Sequence, residues 1–91
     1  TQAIDGAGKT GKVLMVGFGG SAVAVASVKS GAWFSDVAQA PATEGRLAMK
    51  ALIDAIRNNK TSGAINPFAD LPNKGVITKD TASQFTGEWL G

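Results

Sequence analysis

The first clear signal along the chain is a short apolar run, Lys12 to Val16 (KVLMV), closed on both sides by glycine-rich segments. A continuous apolar run of this length, without alternation, predicts a strand buried on both faces in the centre of a parallel sheet. Gly17, Gly19 and Gly20 then turn the chain into Ala22 to Ser30. Ser21 suits an N-cap and Gly31 a C′ position, so this segment predicts a helix of about two and a half turns. Val23, Val25 and Val28 are β-branched and AVAVA alternates as a strand would. The two caps and the need for a βα connection favour the helix.

Trp33 to Gln39 (WFSDVAQ) is aromatic and apolar and stops before Pro41, which predicts a second strand. Pro41 suits the first position of a long helix, Pro41 to Asn58. Its Ala48, Met49, Ala51, Leu52, Ile53, Ala55 and Ile56 fill a wide arc of the wheel, so the helix is expected to be mostly buried. Lys50 and Asp54 are spaced for a surface pair. Asn58 to Gly63 is a polar turn, and Pro67 and Pro72 mark an irregular connection. Gly75 to Lys79 predicts a third strand, after which Asp80 or Thr81 can cap a short helix, Ala82 to Trp89. At the other end, Gln2 to Asp5 reads as a helix end and Gly6 to Gly11 as a loop, so further chain is expected upstream. The alternation of strands and helices predicts an α/β fold of parallel strands with right-handed crossovers.

Composition changes this picture little. With 91 residues, 44% hydrophobic and 18% charged, the chain suits one small globular domain. A net charge of +2, scattered without a basic run, gives no footprint for nucleic acid or an anionic membrane. No stretch approaches the roughly 20 apolar residues of a membrane span. Cys and His are absent, which excludes disulfides, thiolate chemistry, imidazole bases and the usual zinc ligand sets. No nucleophile, base and orienter can be assembled, and Ser21 with Lys29 is too weak a pair. The chain is therefore expected not to be an enzyme and to need no metal or cofactor.

Gly17 to Ala22 (GFGGSA) fits the dinucleotide fingerprint G-x-G-x-x-[GA] directly after a strand. That fingerprint also wants an acidic residue at the end of the second strand. Asp36 stands at nearly the right distance but inside WFSDVAQ, so the match is partial, and a Rossmann-type nucleotide-binding fragment is kept as an alternative.

A second pattern covers more of the chain. VGFGG at Val16 to Gly20, VKSG ending at Gly31, VAQAP at Val37 to Pro41, GRLA at Gly45 to Ala48 and ITKD at Ile77 to Asp80 follow one another in order. Together they resemble the C-terminal part of bacterial periplasmic sugar-binding proteins of the ribose-binding type, from about Gly8 onward. The resemblance implies the C-terminal part of a two-lobed fold that closes on a sugar. Residues 1–39 would end one lobe, 40–75 would belong to the other after a hinge crossover, and 76–91 would be a last strand and short helix.

It also implies ligand positions. Gln39 matches a sugar-contacting glutamine at the hinge, whose amide both donates and accepts. A polar strand end bonded to backbone is its plainer reading. The resemblance places a second ligand position at Gly19, where the family usually carries Asp in VGFDG. Such a carboxylate makes charge-assisted bonds to adjacent hydroxyls, so Gly19 makes ribose itself a doubtful ligand. Phe18 is a third candidate, with a core position as its plainer reading. Trp33 and Trp89 could stack on a sugar, though packing is the commoner use. Lys29, Lys79 and Arg46 read as solvated charges.

The implied function is binding of a sugar or polyol by the extracytoplasmic receptor of a bacterial ABC importer. Its partners would be a membrane permease and the rest of the receptor or further copies of the chain. Its location would be periplasmic or extracytoplasmic, although the sequence contains no signal peptide. The effector domain of a LacI-like transcription regulator keeps the same ligand fold and is a further alternative.

Overall fold

Ser21 and Gly31 set the limits of the best-packed helix. In the computed structural model, which describes residues 1–61 and 63–91, α2 runs from Ala22 to Ser30. Ser21 is extended and its Oγ accepts the Ala24 N–H at 3.1 Å. Gly31 closes the helix in the left-handed region, φ 86°, and its N–H donates to Val28 O. Such an end favours glycine because a Cβ is strained there. α2 buries Ala24, Val25 and Val28, and the last two join Ala38, Ile77 and Ala82 in the core. Trp33, Leu71 and Phe85 close its rim. The β-branched valines suit this helix because packing on one face outweighs their weak propensity.

The sheet has three strands in the order β1 (Val16–Gly19), β2 (Ser35–Ala38), β3 (Val76–Thr78). β1 and β2 are parallel, with Phe18 beside Val37 and Gly19 beside Ala38. β3 is antiparallel to β2, with Ile77 beside Asp36. Asp36, Ala38 and Ile77 lie under α2, while Val16, Phe18, Val37 and Val76 share the opposite face by the two-residue period of a strand. That opposite face is uncovered: Val16 is 60% exposed and Phe18 71%. Two expectations are corrected here. The first strand begins at Val16, with Lys12 to Met15 in turn and irregular backbone, and it is an edge strand buried on one face only. The second is shorter than Trp33 to Gln39.

α3 occupies Pro41 to Asn58, with Pro at its start and a left-handed Asn59 at its end. It contains no buried residue, and Met49, Leu52, Ile53 and Ile56 are exposed, contrary to the burial its apolar arc predicts. Asp54 Oδ1 accepts from Asn58 Nδ2. The chain measures 59 × 21 × 18 Å with a radius of gyration of 16.8 Å, against about 12 Å for a compact domain of this length. A helix that projects from the sheet cannot serve as a crossover. The chain returns to the end of β2 that it left, at Val76 beside Val37, so β3 must run antiparallel. The α/β class stands, with a mixed sheet in place of an all-parallel one. Ser62, in the polar turn expected after α3, lies outside the described residues.

A short α1 (Gln2–Gly6) precedes β1. After β3, a single 3-10 turn at Ala82–Gln84 replaces the expected helix to Trp89, and the backbone is extended at Phe85. Thr81 Oγ1 accepts the Thr78 N–H in that turn. The helix stops because residues 87–91 run back over the start of α2: Ala22 N–H donates to Trp89 O at 2.8 Å and Val23 N–H to Leu90 O at 3.3 Å. Gly87 lies against Ser21 and Ala22 with no room for a side chain. Among the described residues no helix is long and apolar enough to cross a membrane.

Ile77 is fully buried whereas Ile56 is 75% exposed, so the two isoleucines should respond differently to truncation. Ile77→Ala should cost about 2–5 kcal/mol and Ile56→Ala less than about 0.5 kcal/mol. Chemical denaturation of both variants measures this, and equal losses would mean that α3 is packed against something.

Candidate functional site

The carboxyl ends of β1 and β2 carry the candidate site. Gly19 ends β1, and its carbonyl oxygen accepts two donors: Gln39 N–H at 3.0 Å and the indole Nε1–H of Trp89 at 3.1 Å. The Gln39 side chain, just beyond β2, is exposed. Gly19 and the Gln39 backbone are therefore neighbours in the fold. Phe18 points away from Gly19, onto the uncovered sheet face, because successive strand residues point to opposite faces.

The turn after Gly19 is tightly constrained. Gly20 has φ 63°, and a Cβ there would stand 2.7 Å from Ala38 Cα, so only glycine fits. Its N–H donates at 2.8 Å to Oδ2 of Asp36, a fully buried carboxylate. The other oxygen, Oδ1, has no partner among the described residues. Four donors at this βα turn, the N–H groups of Gly20, Ala22, Val23 and Ala24, are thus accepted by Asp36, Trp89, Leu90 and Ser21. A phosphate would need these donors free. Asp36 is likewise buried in the fold and not presented to a ribose. The geometry does not favour the nucleotide-binding alternative.

The segment Gly87 to Leu90 forms a strap across this end of the molecule. Glu88 anchors it to α3: its carboxylate accepts the Thr43 N–H at 2.9 Å and the Thr43 hydroxyl, while Arg46 Nη2 donates to that hydroxyl at 2.7 Å. Desolvation alone would raise the Glu88 carboxyl, but the hydrogen bonds from Thr43 and Ala42 and the Arg46 charge outweigh it and hold the group below its usual value. Sequence reasoning missed this strap. The available signal was Gly87, a poor residue for the middle of a helix to Trp89. Asp36 was missed as a structural tie, although a carboxylate among apolar strand residues must be bonded if buried.

The larger hollows among the described residues lie away from these side chains. One, of about 600 Å³, is lined by Val13, Leu14, Trp33, Phe34 and Lys79 near the start of β1, and another, of about 470 Å³, lies between α3 and the chain after it. The Trp33 indole donates to Thr1 Oγ1, so it belongs to the first of these and not to the Gly19 end.

Comparison with known proteins gives one informative relationship. Over 83 residues, 91% of the chain, the sequence is 44% identical to the D-allose-binding periplasmic protein of Escherichia coli (strain K12). The resemblance to periplasmic sugar-binding proteins is borne out. The chain spans 25% of the length of that relative. No family model and no solved structure matches. The relative is a binding protein, which fits a chain that is not an enzyme and favours neither the regulator nor the nucleotide-binding alternative.

The Glu88 anchor makes the strap sensitive to acid. Because the folded carboxyl titrates below its unfolded value, its contribution is complete above the ordinary carboxylate range and is lost as pH falls through the lowered folded value. In a Trp33→Phe chain, where Trp89 is the only tryptophan, its emission should change on that acid limb, and Glu88→Gln should remove the step. An acid transition unaltered in Glu88→Gln would assign it to another group.

Proposed function

We propose that the chain is part of an extracytoplasmic receptor that binds a sugar or polyol and delivers it to the permease of a bacterial ABC importer. The observation that carries this reading is the 44% identity, over nearly the whole chain, to a D-allose-binding periplasmic protein. The geometry supports it: Gln39 is an exposed amide at the carboxyl end of a central strand, where open α/β sheets take small molecules. Gly19 provides no carboxylate, so a neutral ligand is held by the amide and by shape, with no charge-assisted bond from that position. The working location is the periplasm, and the work is recognition without chemistry.

In this reading residues 1–39 belong to one lobe, 40–75 to the other, and 76–91 return to the first. The uncovered faces are in keeping with it. Val16 and Phe18 on the sheet, and Met49, Leu52 and Ile56 on α3, are apolar surfaces that a complete receptor or a second copy of the chain would cover.

Two measurements test these statements. In the complete receptor, Gln39→Ala should weaken D-allose binding by about 1–3 kcal/mol with little loss of stability. Unchanged affinity by calorimetry would remove Gln39 from the site. Sedimentation of the 91-residue chain should show association at micromolar concentration. A cooperatively unfolding monomer would argue that the apolar faces need no partner.

A further inference from the structure

We propose that Trp89 is a ligand-contacting side chain of the same site, offering its indole as a stacking face for a pyranose, and that Gly19 is the residue that admits it. The proposal rests on the sugar-binding reading above and adds a residue to it.

Trp89 stands next to Gln39. Its Nε1–H and the Gln39 N–H donate to the same oxygen, that of Gly19, at 3.1 and 3.0 Å. Two donors that share one acceptor lie side by side, so the indole and the Gln39 backbone flank one point at the sheet's carboxyl edge, within reach of a ligand seated on that edge. The ring is seated on Gly19 itself. A Cβ at that position would stand 3.1 Å from Cζ2 of Trp89, so any side chain at 19 pushes on the ring. Glycine is required here by the indole as well as by the backbone, whose φ is 148°.

The ring is also held rigid in advance. Trp89 O accepts from Ala22 N–H, Leu90 O from Val23 N–H, and Glu88 is tied to Thr43. Little ordering is left for a ligand to impose, which favours binding. With Nε1–H already bonded, the polar edge of the indole is satisfied and its remaining surface is apolar. Yet Trp89 is 45% exposed and stands outside the core formed by Val25, Val28, Ala38, Ile77 and Ala82. A fixed, half-exposed indole at the same strand end as the exposed Gln39 suits a ligand with one face of C–H groups and a rim of hydroxyls. A pyranose has both: its C–H face would lie on the indole and its hydroxyls would reach the Gln39 amide.

Saturation-transfer NMR with millimolar D-allose and the Trp33→Phe chain reads this directly, because it detects weak binding. Irradiation of the Trp89 indole should transfer to the sugar's C–H protons, and Trp89 emission should change saturably. Trp89→Ala should weaken binding roughly tenfold. Trp89→Phe, which keeps a ring but loses the bond to Gly19 O, should retain most of it and so keeps the test valid if Trp89→Ala loosens the strap. Gly19→Ala, with its Cβ against the ring, should weaken binding while helix content is unchanged. If D-allose binds in a Gln39-dependent way but neither Trp89 variant alters affinity and no transfer from the indole is seen, Trp89 is a strap residue only and the proposal falls while the sugar reading stands. If none of D-allose, D-ribose and D-glucose binds the chain or the complete receptor, the sugar reading falls and takes this one with it.

Discussion

The hydrogen bond from Gly20 N–H to the buried Asp36 carboxylate, 2.8 Å long, fixes the end of the molecule that carries the candidate site. A carboxylate taken out of water is costly unless its bonds are replaced, so Asp36 holds the Gly19–Gly20 turn against β2 at a defined height. From that point the rest follows. Ser21 is placed to cap α2, α2 is laid with Val25 and Val28 toward Ile77, and Gly19 O is turned toward Gln39 and Trp89. The three glycines of the turn are accounted for by packing and, at Gly19 and Gly20, by positive φ. At Gly17 a Cβ would meet the Trp33 ring and stand 2.6 Å from Asp36 Oδ1, at Gly20 it would meet Ala38, and at Gly19 it would meet Trp89. A dinucleotide-like glycine pattern arises here because an aspartate, a strand and an indole each need the space.

Local signals were legible in the sequence, and long-range ones were not. α2 was readable residue for residue because Ser21 and Gly31 act through their own backbone and the adjoining turn, and α3 was readable from Pro41 for the same reason. The strands were found but misplaced: KVLMV is apolar, yet pairing with β2 begins at Val16, and no period in the run encodes that register. The antiparallel β3 was not legible either. It depends on α3 leaving the sheet and the chain returning to the same end, which is a matter of tertiary path. Of the candidate site, Gln39 and Gly19 were named through the family resemblance and their backbones are neighbours in the fold, while Phe18 points away from Gly19 by the alternation of the strand. Trp89 was named as a stacking candidate, but its bond to Gly19 and that of Glu88 to Thr43 were not legible, since the partners lie 70 and 45 residues away.

The apolar arc of α3 is the instructive failure. Its pattern is that of a buried helix, and the pattern is real, but hydrophobic periodicity states only that a face seeks cover and not that this chain supplies it. Together with the open face of the sheet, it leaves, among the described residues, a core cluster of five buried side chains, Val25, Val28, Ala38, Ile77 and Ala82, rimmed by Trp33, Leu71 and Phe85. So small a core contributes little of the free energy needed to order 91 residues. The same arithmetic explains why hydrogen-bonded devices such as the Asp36 tie and the strap carry so much of the organisation.

The strap also constrains motion. The chain passes from β2 to α3 through Gln39 and Ala40, the latter buried, so this short link is where α3 would pivot against the sheet. But the strap spans that link from outside: Glu88 holds Thr43 in the first turn of α3, Trp89 holds Gly19 at the end of β1, and Trp89 O holds the start of α2. A pivot at Ala40 must therefore break the Glu88 contacts or drag the strap with it, and dragging the strap lifts the indole from Gly19. The strap thus ties α3, Trp89 and the Gln39 backbone into one hydrogen-bonded arrangement. A ligand held by Trp89 and Gln39, as proposed, would bias that arrangement only as far as it bound it better than the alternative.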